Sequence, residues 1–214
     1  MTQLFTVHPT QPQPRLVRQA AAIVRDGGVI AYPTDSSYAL GCQLGDLHAA
    51  QRIRQIRGVD ERHFLTLVLA DLADIGRFAK VDNWQFRIIR RGTPGPYTFI
   101  LPATREVPRR LQHPKRRTIG VRVPAHPVVQ ALLTELAEPL LSSTLILPGD
   151  DAPVNDAGEI RERLGARLDL VVDAGACPAQ PTTVVDLSVE PGSVVRHGGG
   201  DPARLGLDSA AAAP

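Results

Sequence analysis

Cysteine is nearly missing from this 214-residue chain, which has only Cys42 and Cys177. Two thiols exclude a disulfide framework and a zinc site built from four thiolates. Aromatic residues make up 4% of the chain, too few for a platform that stacks successive single-stranded bases. No stretch approaches the roughly 18 consecutive apolar residues that a membrane span needs. The opening MTQLFTVHPTQPQPRLVRQ has no basic start followed by an apolar run. It does not read as a secretory signal, so the expected location is cytoplasmic, with no membrane partner. The signatures of the common nucleotide folds are also missing. No G-x-x-x-x-G-K-[ST] occurs, and the GGGD at 198–201 opens no G-x-G-x-x-G helix. No serine sits in a G-x-S-x-G elbow, and histidines 8, 48, 63, 113, 126 and 197 have no metal-ligand spacing. Chemistry, if present, must rest on phosphate binding and positioning.

Lysine is scarce too: Lys80 and Lys115 are two among 24 basic residues, and the rest are arginine. Arginine offers a planar fork that matches phosphate, which lysine does not. The net charge of +2 hides an asymmetry. Residues 1–122 hold 19 basic against 9 acidic side chains, and residues 123–214 hold 5 against 13. The densest basic stretch, Arg105 to Arg122, contains Arg109, Arg110, Lys115, Arg116 and Arg117 with Glu106 as its lone acid. Such a half fits an anionic ligand, a nucleotide or RNA phosphates.

With 43% hydrophobic residues the chain can bury its own core. Its patterning predicts a lead over 1–14, one domain over 15–205 and a disordered tail over 206–214. Helices are expected at 15–26, 47–57, 72–79, 83–91, 127–137 and 157–164. Asp46, Asp71 and Asp82 stand at cap positions, and Pro14 and Pro127 at helix starts. His126 reads as a capping neighbour. Strands are expected at 28–32, 64–70, 97–101, 118–123, 139–144, 168–175, 182–188 and 193–198. Residues 33–41 read as a loop, with Cys42 a small buried thiol after it, and 105–117 as a loop with a short helix at 106–111. Mixed strands and helices give an α/β class with helices packed on a twisted mixed sheet. The last three strands have no long helices between them, so they are expected to pair antiparallel. Arg122 alternates with Val121 and Val123, which turns its side chain away from theirs.

Three segments narrow the reading: GGVIAYPTDSSYALG at 27–41, TPGPYTFILPAT at 93–104 with TIGVRVPAHPVVQALL at 118–133, and PTTVVDL at 181–187 with VVRHG at 194–198. In this order and spacing they resemble the YrdC-like family, which includes the L-threonylcarbamoyladenylate synthases. The stretches TPGPYTFIL, EVPRRL and SSTLILPG resemble its YciO branch. The resemblance spans roughly residues 8–205. It implies a twisted open mixed sheet around a basic concave face that binds ATP, L-threonine and bicarbonate. The products would be threonylcarbamoyl-AMP and pyrophosphate, with Mg²⁺ carried by ATP rather than by a dedicated protein site. It also implies binding of double-stranded or transfer RNA. For RNA phosphates, ribosomal RNA included, the basic stretch makes Arg105, Arg109, Arg110, Lys115, Arg116 and Arg117 the candidates.

Carried over residue by residue, Thr34 falls at the threonine-contacting position, with Pro33 and Tyr38 shaping its loop. Arg57 falls at the first basic position of a K-x-R motif, Arg122 at a nucleotide-site arginine and Thr144 at the serine of an S-x-N motif. Thr182 and Arg196 fall at a late hydroxyl and at the arginine of the last strand. Two positions depart: Val59 stands at the second basic position and Ile146 at the asparagine. Each charge-assisted hydrogen bond lost there is worth about 1.5–3 kcal/mol. The expectation is therefore a synthase-like protein with weak or redirected activity. An RNA-binding module is the alternative. An adenylate hydrolase ranks third, because no positioned base is visible, and no residue is assigned as catalytic.

Overall fold

The computed structural model describes residues 2–61 and 63–207. Seventeen elements follow in chain order: β1 (Gln3–Thr6), α1 (Pro14–Arg25), β2 (Ile30–Pro33), β3 (Tyr38–Gln43), α2 (Leu47–Arg57), β4 (Thr66–Val68), α3 (Ile75–Phe78), α4 (Asn83–Gly92), β5 (Tyr97–Pro102), β6 (Thr118–Arg122), α5 (Pro127–Leu136), β7 (Leu140–Thr144), α6 (Ala157–Leu164), β8 (Leu170–Asp173), β9 (Thr183–Asp186), β10 (Ser193–Arg196) and α7 (Pro202–Leu205). The strands form one open mixed sheet in the order β1-β8-β2-β3-β7-β4-β6-β5-β9-β10.

Local chemistry starts and stops the helices where the sequence placed the signals. The Asp46 carboxylate accepts the Ala49 N–H at 2.9 Å, and Gly58 ends α2 at φ +63°. Gln85 reaches back to the Asp82 N–H at 2.6 Å and closes a capping box on α4. The His126 ring accepts the Val128 N–H at 3.3 Å, the capping role expected of it.

Two expectations fail on topology. Residues 33–41 are not a loop: Tyr38–Gln43 is a strand that pairs antiparallel with both β2 and β7. The Pro-Thr-Asp-Ser-Ser signal marks only the turn, and the small residues of β3 suit a fully covered strand. The last three strands are not a meander either. β8 lies near the far end of the sheet, parallel to β1 and β2, while β9 is parallel to β5 and only β10 returns antiparallel to β9. A missing helix between strands therefore did not mean adjacency. The lead contributes β1, an edge strand that its proline content concealed. The short helix expected at 106–111 is one 3₁₀ turn, Arg109–Leu111. The tail expected to be disordered lies, from residue 208 on, outside the described residues.

Alternation along the strands sorts side chains into two cores. Ile30 and Tyr32 of β2 join Ala39, Leu140, Leu170 and Val172 beneath α1 and α5. Ala31, Leu40, Leu67, Phe99, Val121 and Val185 face the opposite side with α2, α4 and α6. On the first side, α1 and α5 pack against each other over the end of the sheet holding β8, β2 and β3. Past Val68 of β4, the β6, β5 and β9 end of that same side carries no helix among the described residues. That uncovered half of the sheet is the floor of the main cavity.

Candidate functional site

The cavity offers about 1000 Å³ of empty space, including its open mouth. Its floor follows from strand phase. In β5, Phe99 and Leu101 point into the core, so Thr98 and Ile100 point up. In β6, Ile119 and Val121 belong to the core, and Thr118, Gly120 and Arg122 take the other phase. Register aligns these positions: Ser142 of β7 opposes Thr66 of β4, which opposes Gly120, which opposes Ile100. A Cβ at Gly120 would come within 3.1 Å of Thr66 Oγ1 and 3.3 Å of Thr98 Cγ2, so glycine keeps this row low.

Three arginines reach the cavity from three directions. Arg57, at the end of α2, donates Nη1 to Ser143 Oγ and to the Thr144 carbonyl, both at 2.6 Å. Arg122 pairs with Asp35 at 2.5 Å and donates to Thr34 Oγ1 at 3.3 Å. Arg196 comes from β10 and donates Nε and Nη2 to the Thr182 carbonyl at 3.2 and 3.0 Å. Thr182 Oγ1 lies 2.9 Å from Thr98 Oγ1. The Nε atoms of Arg57 and Arg122 and the Oδ2 of Asp35 are buried with no hydrogen-bond partner among the described residues. Burial and the neighbouring Arg196 pull Arg57 below its usual pKa, and burial does the same to Arg196. Cations that repel each other in a half-buried site make a receptor for an anion.

Of the six substrate-site residues expected from sequence, Arg57, Arg122, Thr144, Thr182 and Arg196 all line this cavity. Thr34 does not line it. Its hydroxyl donates to the Ser37 carbonyl at 2.6 Å and accepts the N–H groups of Ser36 and Ser37, which fixes the turn behind Arg122. Ile146 lines the cavity, whereas Val59 does not. Among the basic-loop candidates only Arg116 reaches the rim, paired with Asp186 at 2.7 Å. Bonds from Ser188 and Arg116 hold the Asp186 carboxyl below its usual pKa against the cost of burial. Val107 and Leu111 anchor the loop, and Arg105, Arg109, Arg110, Lys115 and Arg117 point to solvent.

Several cavity residues escaped the sequence reading. Thr66, Thr98, Thr118 and Gly120 were legible in principle, because they share the alternation phase that singled out Arg122. Ser143, His63 and the tilted ring pair of Phe64 with His113, centroids 4.9 Å apart, were not. Nothing in their spacing shows that the segment after α2 folds over the floor. Cys42 is buried in β3, and burial pushes its thiol up to about 12; Cys177 is raised to about 11 for the same reason. Neither is an activated nucleophile. Among the described residues no group of three or more His, Cys, Asp or Glu is placed to hold a metal.

Residues 22–198 match the family model of the Sua5, YciO and YrdC proteins, described as telomere recombination. The chain belongs to the Sua5/YciO/YrdC family. Within it, the chain is 50% identical over 201 residues to the uncharacterized protein YciO of Escherichia coli, covering 94% of this chain and 98% of that one. It is 36% identical over 165 residues to a threonylcarbamoyl-AMP synthase of Halorhodospira halophila, covering 77% of this chain and 85% of the other. The E. coli YciO crystal structure superposes with a TM-score of 0.93 at 49% identity, over 96% of this chain and 100% of that chain. P. abyssi Sua5 complexed with L-threonine gives a TM-score of 0.85 at 26% identity, over 92% of this chain and 58% of that chain. The open mixed sheet with flanking helices is therefore the family fold. None of the helices among the described residues is long and apolar enough to cross a membrane.

Proposed function

We propose that the cavity binds ATP or an adenylate, together with L-threonine and bicarbonate, and that its synthase activity is weak or redirected. One observation carries the reading. Arg57, Arg122 and Arg196 converge on a floor of threonine and serine hydroxyls, in a family whose members include threonylcarbamoyl-AMP synthases. Arg57 and Arg122 would hold phosphates through the Nε groups that lack partners here. Arg196 and the Thr182 hydroxyl would take the adenylate end, and Thr144 a further hydroxyl contact. Thr34 would act by holding Arg122 and Asp35 in place. Mg²⁺ would arrive on ATP as part of the substrate.

Ile146 supports the weakened synthesis. A β-branched apolar side chain faces the cavity where the synthase pattern has an amide, so one donor and one acceptor are gone. Groups that stabilise charge developing at the α-phosphate carry orders of magnitude in rate. The test is pyrophosphate release from ATP with and without L-threonine and bicarbonate, with Val59→Arg/Ile146→Asn run beside the wild type. Strong release by the wild type would show that the two departures do not matter. Recovery in the double variant alone supports an intact site retasked at those positions. Silence in both, with no ATP binding, would refute the reading.

The exposed Arg105, Arg109, Arg110, Lys115 and Arg117 favour a second reading, in which structured or double-stranded RNA docks beside the rim through phosphate contacts. Its affinity would fall with salt at a log–log slope of about −0.7 to −0.9 per contact. Salt-insensitive binding would count against it.

A further inference from the structure

We propose that His63 is the general base of this cavity, and that it directs water onto the acyl–phosphate bond of a bound acyl or carbamoyl adenylate. The proposal rests on the adenylate-binding reading above and adds an activity, hydrolysis, that runs opposite to synthesis. Its first support is hydrogen-bond inventory. The Ser143 hydroxyl has two partners among the described residues: Arg57 Nη1 at 2.6 Å and His63 Nε2 at 3.4 Å. Ser143 accepts from the guanidinium and keeps its own proton to give; in the tautomer protonated at Nδ1, His63 Nε2 accepts that proton and turns its lone pair to the cavity. At 3.4 Å the serine contact orients the ring without holding the lone pair tightly, so a water bound beside a substrate can displace it.

The second support is elimination. Arginines, serines and threonines cannot take a proton at neutral pH. Asp35, paired with Arg122 through Oδ1, does not line the cavity, and Asp186 is held by Arg116 and Ser188. The other cavity imidazole, His113, accepts the backbone N–H groups of Lys115 and Arg116 on Nδ1, which leaves its other nitrogen protonated. Third, the charges around His63 keep it unprotonated. After burial, the main influences are Arg57 and Arg54 from α2 and Arg196 from β10, all lowering its pKa, with Asp60 opposing them. The same arginines bind the substrate's phosphate, so base and anion site are adjacent.

The step balances without a further reactant. The water oxygen bonds to the carbonyl carbon while its proton passes to His63 Nε2 and on to solvent. The bond from that carbon to the phosphate oxygen breaks, and its electron pair leaves on AMP. The other product is a carboxylate, or a carbamate that then sheds CO₂. Arg57 would stabilise the charge that develops on the phosphate as it departs.

The experiment follows AMP release from threonylcarbamoyl-AMP against its solution hydrolysis, with wild type, His63→Gln and His63→Lys. AMP binding by calorimetry and thermal melting run alongside. Wild type should accelerate release, and both variants should lose about 10²- to 10⁴-fold of that rate while binding AMP. Lysine adds a cation beside the anion site and accepts no proton while charged, so its loss of rate separates proton acceptance from charge. The wild-type rate should fall on the acid side, as His63 protonates, and the AMP released in ¹⁸O-water should carry no label, because the water oxygen goes to the carbamate and its CO₂. If AMP binds but wild type is no faster than solution, or if both variants keep the rate, the inference fails and the adenylate reading stands. Failure to bind AMP would remove both.

Discussion

One side of the sheet is two environments laid end to end. Over β8, β2 and β3, helices α1 and α5 cover it, and its outward phase is Ile30, Tyr32, Leu170 and Val172. Over β6, β5 and β9 no helix among the described residues covers it, and the phase that faces the cavity there reads Thr98, Ile100, Thr118, Gly120, Arg122 and Val184, continued by Thr66 of β4. The backbone is alike in both halves. The apolar half is dry and stores stability through packing. The polar half keeps its groups satisfied with hydroxyl-to-hydroxyl and guanidinium bonds, and leaves two guanidinium nitrogens and one carboxylate oxygen without partners. An unmet buried polar atom costs about 1–3 kcal/mol, so this half carries a cost that the packed half does not.

The comparison breaks most sharply at Arg122. Its side chain is 7% exposed and that of Asp35 is 13%, so Arg122→Ala strands a buried carboxylate. A loss of about 4 kcal/mol is expected in urea unfolding, with nucleotide binding lost as well. Adding Asp35→Asn should recover part of the stability and none of the binding. Leu132→Ala tests the covered half. It opens a cavity under α5 and should cost about 3 kcal/mol, lowering the melting temperature by about 6–12 °C, while ATP affinity of the folded protein stays unchanged. If ATP affinity fell with it, the two halves would not be separable. Thr182→Val is smaller, about 1–2 kcal/mol, because Thr98 and Arg196 each lose a partner; here ATP affinity should fall in step with stability. Lys115→Ala, on the exposed loop, should change stability by no more than about 0.5 kcal/mol and weaken only salt-dependent RNA binding.

Acid sharpens the contrast without a core mutation. Burial and the surrounding arginines hold His63 below its ordinary pKa, and burial lowers His126. The folded chain then binds fewer protons than the unfolded chain once the pH drops below about 6.5. Their contribution is therefore fully present above that value. It declines as the pH falls through it and levels off below the folded-state values. Urea titrations across this range should show His63→Gln with a shallower acid decline than wild type. An identical decline would mean that His63 titrates as it does in the unfolded chain.

How much of this was legible in the sequence varies with the range of the interaction involved. Helix starts were, because Asp46, Asp82 and Pro127 act within one turn. The alternation around Arg122 was, because period two is a property of the strand itself. The β3 strand was hidden by a turn signal whose residues also start the hairpin, and β8 was misplaced because strand neighbours are chosen by sheet assembly, not by connection length.

By itself, the sequence determined an α/β chain with a basic, arginine-rich half, the outward phase of Arg122 in β6, and five cavity-lining residues among the six it proposed for the substrate site. Tertiary structure alone decided that the core under α1 and α5 reaches no further than Val68 of β4, leaving the polar phase of β5 and β6 open as a floor. It also swung the segment after α2 across the floor, so that His63 meets Ser143 eighty residues further along the chain. Such encounters depend on which surfaces close against each other, and local pattern does not record that.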